Sequence, residues 1–314
     1  MTDKIAVVGA GLIGRAWAIV FARAGHEVTL HDAYSDALDR AGKLLDDNLT
    51  DLEANDLIGS AMEVRGRIRR TDKMEEALDC ATWVQENALE QVSLKRELFS
   101  RMDEITSDET IIASSTSAIP CHEITQGLPG ATRMLVAHPA NPPYLLPIVE
   151  LSGSEATSAE TIKKARKFLE ETGMTAITIN KPVKGFVLNR LQVALLTEAF
   201  RLIEEGVVSG ADLDKTVKHG LGLRWSFMGP METIDLNAPG GIRDYLERFG
   251  HSFGQIAREQ GETDTWNETK YAKLEADRRT VMKQSELAKR AVWRDRRLMA
   301  LNNHKKEADE NYGT

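Results

Sequence analysis

The sequence predicts an α/β protein in which a doubly wound, mostly parallel sheet is followed by an all-helical domain. Three observations predict it. Short apolar runs of strand character recur through the first half, "KIAVVG", "EVTLHD", "TWVQEN", "TIIASS", "RMLVAH", "IVELSG" and "TAITIN". Helical runs such as "LKRELFSRMDEI" and "SAETIKKARKFLEETG" separate several of them, the alternation that builds a parallel sheet covered on both faces. After "NKPVKG" strand patterning stops, and "GFVLNRLQVALLTEAFRLIEEG" opens a stretch of helical pattern only. The expected domains are therefore 1–183 and 184–314.

The elements follow in order. The first strand runs into a glycine turn, after which Leu12, Ile13, Ala16, Trp17, Val20 and Phe21 repeat at helical spacing, and Gly25 stops that helix. In the second domain, Ser209 and Asp212 have the spacing of an N-terminal capping box. From about Asn267 the chain is rich in charge, with Leu274, Met282, Leu287 and Trp293 at loose intervals, so surface helices with one packed face are expected there. The closing "KKEADENYGT" is expected to be disordered.

With 42% apolar and 28% charged residues, the 314-residue composition is that of an ordinary soluble protein. A net charge of −8 gives no general attraction to nucleic acid or an anionic membrane, so the expected partner is a small molecule. Cys80 and Cys121 form neither a disulfide framework nor a metal-ligand motif, which fits a reducing cytoplasm and predicts no metal. The N-terminal apolar run is too short and too glycine-rich for a membrane span.

Gly9, Gly11 and Gly14 form G-x-G-x-x-G between the first strand and its helix. In that context the glycines serve a tight turn, close approach of a pyrophosphate and close packing of helix on strand. Asp32 ends the next strand, where a carboxylate accepts hydrogen bonds from the adenosine ribose hydroxyls and repels a 2′-phosphate. The pattern is that of a Rossmann domain, with NAD favoured over NADP. Leu12 and Ile13, inside the turn, complete the expected cofactor-binding set. FAD is held by the same fingerprint, so the chemistry must be read elsewhere.

Oxidation of a secondary alcohol by NAD needs a base near neutral pH. Histidine suits it, and a carboxylate on the second ring nitrogen fixes the tautomer and stabilises the imidazolium. "VAHPANPPYLLPIVEL" supplies such a pair, His138 and Glu150, near the ends of two expected strands. Ser117 in "SSTSAI" and Asn189 in "GFVLNR" accompany them.

Taken in order, the glycine fingerprint, "SSTS", "AHPANPPYLLPIVEL" and "GFVLNR" resemble the L-3-hydroxyacyl-CoA dehydrogenase superfamily over nearly the whole chain. The resemblance implies that His138 is the general base, that Glu150 orients it, and that Ser117 and Asn189 hydrogen-bond the substrate oxygen or the histidine. It also implies that Glu90 and Lys95, in "ENALEQVSLK", line the nicotinamide-ribose side of the cofactor site, and that the protein is a homodimer through its helical domain.

Two departures bear on substrate. Where acyl-CoA members usually carry asparagine ahead of the serine, this chain has Ser115; where they have a glycine-tyrosine-proline type turn, it has "GLGLRWSFMGPMETIDLN". These variants and a late "VWRDRRL" look like the lambda-crystallin and L-gulonate 3-dehydrogenase branch. That branch implies a free 3-hydroxy acid, L-gulonate as best guess, whose carboxylate needs a cation. Arg224 is the candidate clamp, beside Trp225 in the expected substrate site. "GLRWSFMG" is also similar to L-carnitine dehydrogenases, where Trp225, Phe227 and Tyr144 would offer aromatic faces to a quaternary ammonium. Short-chain hydroxyacyl-CoA oxidation stays open, with Arg65, Arg67, Arg69 and Arg70 as the one basic run for a nucleotide tail, as does a structural or NAD-sensing crystallin-like role.

Overall fold

Eight strands form one sheet in the computed structural model: β1 (Lys4–Val8), β2 (Glu27–His31), β3 (Ile68–Thr71), β4 (Trp83–Glu86), β5 (Ile111–Ser114), β6 (Met134–Pro139), β7 (Ile148–Ser152) and β8 (Thr175–Thr178). Their order is β3-β2-β1-β4-β5-β6-β7-β8. The pairings are parallel except β6 with β7. The structure describes residues 2–260, 276, 279–280 and 283–313.

Strand direction of growth reverses between β1 and β4, the switch point where a doubly wound sheet leaves a crevice at its carboxyl edge. Side chains of β1 alternate between two cores. Ile5 and Val7 join α1 (Leu12–Arg23) and α2 (Ser35–Ala54) on one face. Ala6 and Val8 meet Met74 and Leu78 of α4 (Met74–Leu78, after the short α3, Ala61–Gly66), Phe99 and Met102 of α5 (Val92–Ile105) and Ile124 of α6 (Cys121–Thr125) on the other. Both faces are covered, which is why these strands read as apolar runs and not as alternation. On the first face Trp17 stacks on Phe21 at 5.1 Å, and Phe168 of α7 (Ala159–Glu171) sits 4.8 Å from Trp83.

Strand β3 was not visible in the sequence, because it lies inside the basic run. Only Ile68 and Thr71 turn inward; Arg69 and Arg70 face out, as suits a short edge strand.

The chain divides into two units, Met1–Asn189 with Arg294–Thr314, and Arg190–Trp293. This corrects the expected extent of the second domain, 184–314, at its far end. The last helix, α13 (Leu287–Tyr312), also corrects the expected disorder of "KKEADENYGT": it is helical through Tyr312. Within the first unit Met299 is buried in the core with Leu298 packed beside it. Asn302 Nδ2 donates to Leu145 O at 2.9 Å, and Arg296 pairs with Asp51 at 3.2 Å. These contacts, with Asn303 donating to Asn55 O, supply the packed face expected of the charged segment, and the helix then runs on to Tyr312. Leu287 and Trp293 stay about half exposed, and Leu274 and Met282 lie outside the described residues.

The second unit is helical: most of α8 (Leu188–Glu204), α9 (Gly210–Thr216), a π-helical turn (Val217–Leu221), α10 (Gly222–Trp225), α11 (Pro230–Leu236) and α12 (Gly241–Glu259). Ser209 caps α9 by accepting from Asp212 N at 3.1 Å, while the Asp212 carboxylate meets the Ser209 hydroxyl and Lys215, not the Ser209 amide of a full capping box. Its described residues bury little: Ala199, Thr233 and Ala238 alone fall below a tenth exposed. Tyr245, Phe249 and Phe253 form an aromatic row on α12.

Candidate functional site

At the carboxyl end of β1 the chain turns sharply through Gly9, whose φ is +99°. A Cβ on Gly14 would lie 1.8 Å from Gly9 O, so only glycine lets α1 approach the turn. Gly11 differs: a Cβ there would meet nothing within 4 Å. Packing does not require that glycine; an incoming ligand drawn against the backbone would. Leu12 and Ile13 begin α1, and first-turn amides have no partner within their own helix. Asp32 is pinned beside this turn, Oδ2 accepting from Ala10 N at 2.9 Å and Oδ1 from Tyr34 N at 3.1 Å. An open glycine face, unpartnered amides and a fixed carboxylate fit the pyrophosphate and ribose of a dinucleotide.

Behind the turn lies a hydrogen-bond network that sequence reasoning missed. Ser115 Oγ accepts from Trp17 Nε1 (3.0 Å) and Gln85 Nε2 (2.8 Å) and donates to Asn87 Oδ1 (2.7 Å). Gln85 Oε1 accepts from Trp83 Nε1, and Asn87 Nδ2 donates to Gln85 O. Asn87 O lies against Gly9, 2.9 Å from where a Cβ would be. The signal available was "WVQEN": three polar residues in and just after a central buried strand demand partners. Ser115 thus ties Trp17, Gln85 and Asn87 together behind the turn.

Glu86 and Lys95 are both fully buried. Lys95 Nζ donates to Glu86 Oε1 and Oε2 and to Ala88 O, at 2.9, 3.0 and 3.1 Å, so its three protons face the end of β4. The Lys95 ammonium also lies 3.6 Å from Glu90 Oε2. Glu90 gathers the "SSTS" turn with its other oxygen: Oε1 accepts from Thr116 Oγ1 (2.6 Å), Ser117 N (2.9 Å) and Ala118 N (3.1 Å). Burial would raise the Glu90 carboxyl, but the hydrogen bonds and the nearby Lys95 ammonium hold it below the ordinary carboxylate range. Asn189 Nδ2 donates to Ser117 O at 3.0 Å, while the Ser117 hydroxyl lies 3.3 Å from Glu90 Oε1.

His138 and Glu150 stand directly opposite each other on antiparallel β6 and β7. Opposed residues share one face of a sheet, which is how a twelve-residue separation becomes a contact. His138 Nδ1 lies 2.7 Å from Glu150 Oε2, and both residues are buried. Glu150 Oε1 accepts from Val187 N (2.8 Å) and Leu188 N (2.9 Å). Burial would push the Glu150 carboxyl up, but hydrogen bonds from His138 and from the Leu188 and Val187 amides outweigh it and hold the group below its ordinary value. An ionised carboxylate only accepts. Whenever the ring has a single proton, that carboxylate favours the tautomer with it on Nδ1, which leaves the lone pair on Nε2. Phe186, buried, has its ring centroid 5.4 Å from that of His138, and its φ of +51° is a left-handed conformation costing a bulky residue about 1–2 kcal/mol.

Arg224 and Trp225 belong to the second unit, both exposed on α10. Elsewhere in that unit Arg290 stacks over Trp293, at 3.3 Å; among the described residues no such stack joins Arg224 and Trp225. The Arg224 guanidinium has no ion pair among the described residues. The basic run is committed locally: Arg65 to Asp46, Arg67 to Ala22 O, Arg69 to Thr29 and Glu76 O, and Arg70 to Leu38 O. Among the described residues no group of His, Cys, Asp and Glu is arranged to hold a metal ion.

Residues 4–182 match the NAD-binding domain of 3-hydroxyacyl-CoA dehydrogenase, and residues 185–279 match its C-terminal domain. The lambda-crystallin homolog of Homo sapiens is 36% identical over 304 residues, covering 95% of this chain and 94% of its own. An L-carnitine dehydrogenase of Streptomyces coelicolor is 40% identical over 250 residues, 79% of this chain and 78% of its own. The solved structure of 5-formyl-3-hydroxy-2-methylpyridine 4-carboxylic acid 5-dehydrogenase, an NAD+-dependent dismutase, superposes with a TM-score of 0.83 at 28% identity, covering 96% of this chain and 98% of that one.

Proposed function

The chain belongs to the 3-hydroxyacyl-CoA dehydrogenase family and is an NAD-dependent oxidoreductase acting on a CH–OH group; from that premise we propose that it oxidises the 3-hydroxyl of a free 3-hydroxy acid, with L-gulonate the best single candidate. The observation that carries the chemistry is the His138–Glu150 pair, in which Nδ1 faces the carboxylate and Nε2 does not. NAD, which the Gly9–Gly14 turn and Asp32 would hold, would supply the hydride acceptor for the carbinol carbon. His138 Nε2 accepts the hydroxyl proton as that hydride leaves, and Glu150 stabilises the imidazolium that results. Glu90 and Asn189 hold the Ser117 turn in place. Lys95 acts on the cofactor side through Glu86 and Ala88.

A free acid, not a CoA ester, is supported by two things. Relatives matching nearly the whole chain include lambda-crystallin homologues, and the four arginines once available for a nucleotide tail are engaged within the sheet domain. Arg224 is the proposed carboxylate clamp. A second reading, L-carnitine, is favoured by the carnitine dehydrogenase relative and by two exposed rings next to the arginine, Trp225 and Phe227.

The test follows NADH formation with L-gulonate, L-carnitine, L-3-hydroxybutyrate and L-3-hydroxybutyryl-CoA, comparing kcat/KM. A free acid is expected to win, and Arg224→Met to lower its kcat/KM about tenfold or more, the weight of one charge-assisted hydrogen bond. A winning CoA ester would sink the free-acid reading. Tight NAD binding without turnover on any of the four would favour the structural or NAD-sensing role.

The same proposal includes a homodimer through the helical unit and a cytoplasmic setting, the latter fitting two unpaired cysteines. Leu191, Val193 and Leu195 on α8 and Phe249, Phe253 and Ile256 on α12 are each more than a third exposed, apolar side chains that a second copy would cover. Sedimentation velocity is expected to give twice the chain mass, and Phe253→Asp to shift it toward one; a monomer at micromolar concentration would remove the dimer.

A further inference from the structure

Glu150 has two sets of partners, and only one belongs to the dyad. Its Oε2 faces His138; its Oε1 takes the main-chain N–H groups of Val187 and Leu188. These amides open α8, which starts at Leu188, and an amide there has no partner within its own helix. A helix start is normally capped by a side chain immediately before it. Here the cap comes from 37 and 38 residues away, from the strand that carries the pair.

The bend that delivers these amides is an unusual one. Gly185 and Phe186 both have positive φ, +77° and +51°. Glycine takes that conformation freely, but a buried aromatic residue does not. Its ring packs with Cys121 and Val136 and lies against the His138 imidazole. One residue thus closes the apolar side of the ring and turns the next two N–H groups onto the carboxylate. Asn189, on the same first turn of α8, is tied to Ser117 O, which fixes the helix start to the sheet at a second point.

We infer that the Phe186–Val187–Leu188 turn is a positioning element for the proposed dehydrogenation: by holding one oxygen of Glu150 it fixes the carboxylate so that the other oxygen keeps the proton on His138 Nδ1. The inference rests on the dyad reading above, and neither Phe186 nor the two amides touches the reacting atoms. With Oε1 held, the carboxylate cannot rotate away from the ring. With it released, the neutral imidazole is free to carry its proton on Nε2, where it is useless as a base.

Leu188→Pro removes one of the two donors at a position where proline is tolerated, the first residue of a helix. Phe186→Asn keeps access to the left-handed bend, whereas Phe186→Val, β-branched, does not. The readout is the tautomer of His138, from 15N–1H correlation of the histidine ring with no substrate present, the signal being assigned by its loss in His138→Gln. The wild type is expected to carry the proton on Nδ1. Leu188→Pro and Phe186→Val are expected to move it toward Nε2 and to lower kcat about tenfold with KM for NAD little changed, a partial loss of what a general base contributes. Phe186→Asn is expected to keep the wild-type tautomer. A folded Leu188→Pro protein with unchanged tautomer and kcat would overturn the inference, as would an Nε2 proton in the wild type. Should Leu188→Pro not fold, equal tautomer and kcat in Phe186→Asn and Phe186→Val would overturn it. The ring signal needs no turnover, so a wild type inactive on every hydroxy acid would sink the functional reading and leave this test standing.

Discussion

Replacing His138 by Gln is expected to lower kcat about a thousandfold on the preferred hydroxy acid while changing NADH affinity less than about twofold. Glutamine retains length and a donor for Glu150, so the buried carboxylate is not left without its partner on that side. What it lacks is a basic lone pair at the position of Nε2. The measurement pairs initial rates of NADH formation with a fluorescence titration of NADH binding. A variant that turns over at the wild-type rate takes His138 out of the chemistry. One that loses NADH affinity in step with kcat makes the histidine part of the cofactor site instead.

The second large effect concerns Gly14. A methyl group there would sit 1.8 Å from Gly9 O and 3.0 Å from Gly9 C, both main-chain atoms that cannot swing aside. Gly14→Ala is expected to force the turn open and to weaken NADH binding about a hundredfold, some 2–3 kcal/mol, with a lower Tm because α1 no longer seats on β1. Gly11→Ala is the comparison. Its methyl group meets nothing in the protein, so Tm is expected to hold while NADH binding weakens. If both variants bind NADH like the wild type, the glycine turn does not hold the cofactor. If Gly11→Ala loses stability instead of affinity, its glycine serves the fold after all.

The cofactor end was legible because its physics is local. A turn that only glycine can make, a helix start and a strand-end carboxylate are each specified by residues a few positions apart, so Gly9, Gly14 and Asp32 fall where their spacing placed them. The dyad was visible as two ionisable residues amid apolar runs, but that they meet depends on β6 and β7 running antiparallel in register, which spacing does not encode. Less was visible where a partner lies far along the chain. Trp17 with Ser115, Lys95 with Glu86, and Glu150 with the amides of α8 are pairings made by topology. Lys95 shows the limit well. The resemblance puts it on the cofactor side, but nothing in its spacing shows that it is 1% exposed, with Glu86 on the neighbouring strand end making a buried ammonium tenable. Edge strand β3 was hidden for the same reason in reverse, charge on its outer face masking Ile68, which fastens it down; helices with one packed face are expected from about Asn267, and disorder only from Lys305 onward, where the last helix in fact continues.

That last helix has a bearing on how the molecule is made. Every strand of the sheet has been synthesised by Thr178, yet Met299 belongs to the sheet's first core and Arg296 pairs with Asp51, 245 residues earlier. A growing chain therefore carries a nearly finished sheet domain with one apolar seat uncovered while the whole helical unit is translated. Closing so long a loop is slow relative to local folding, and the exposed seat during that interval is where a holding chaperone or a stray neighbouring chain would find purchase.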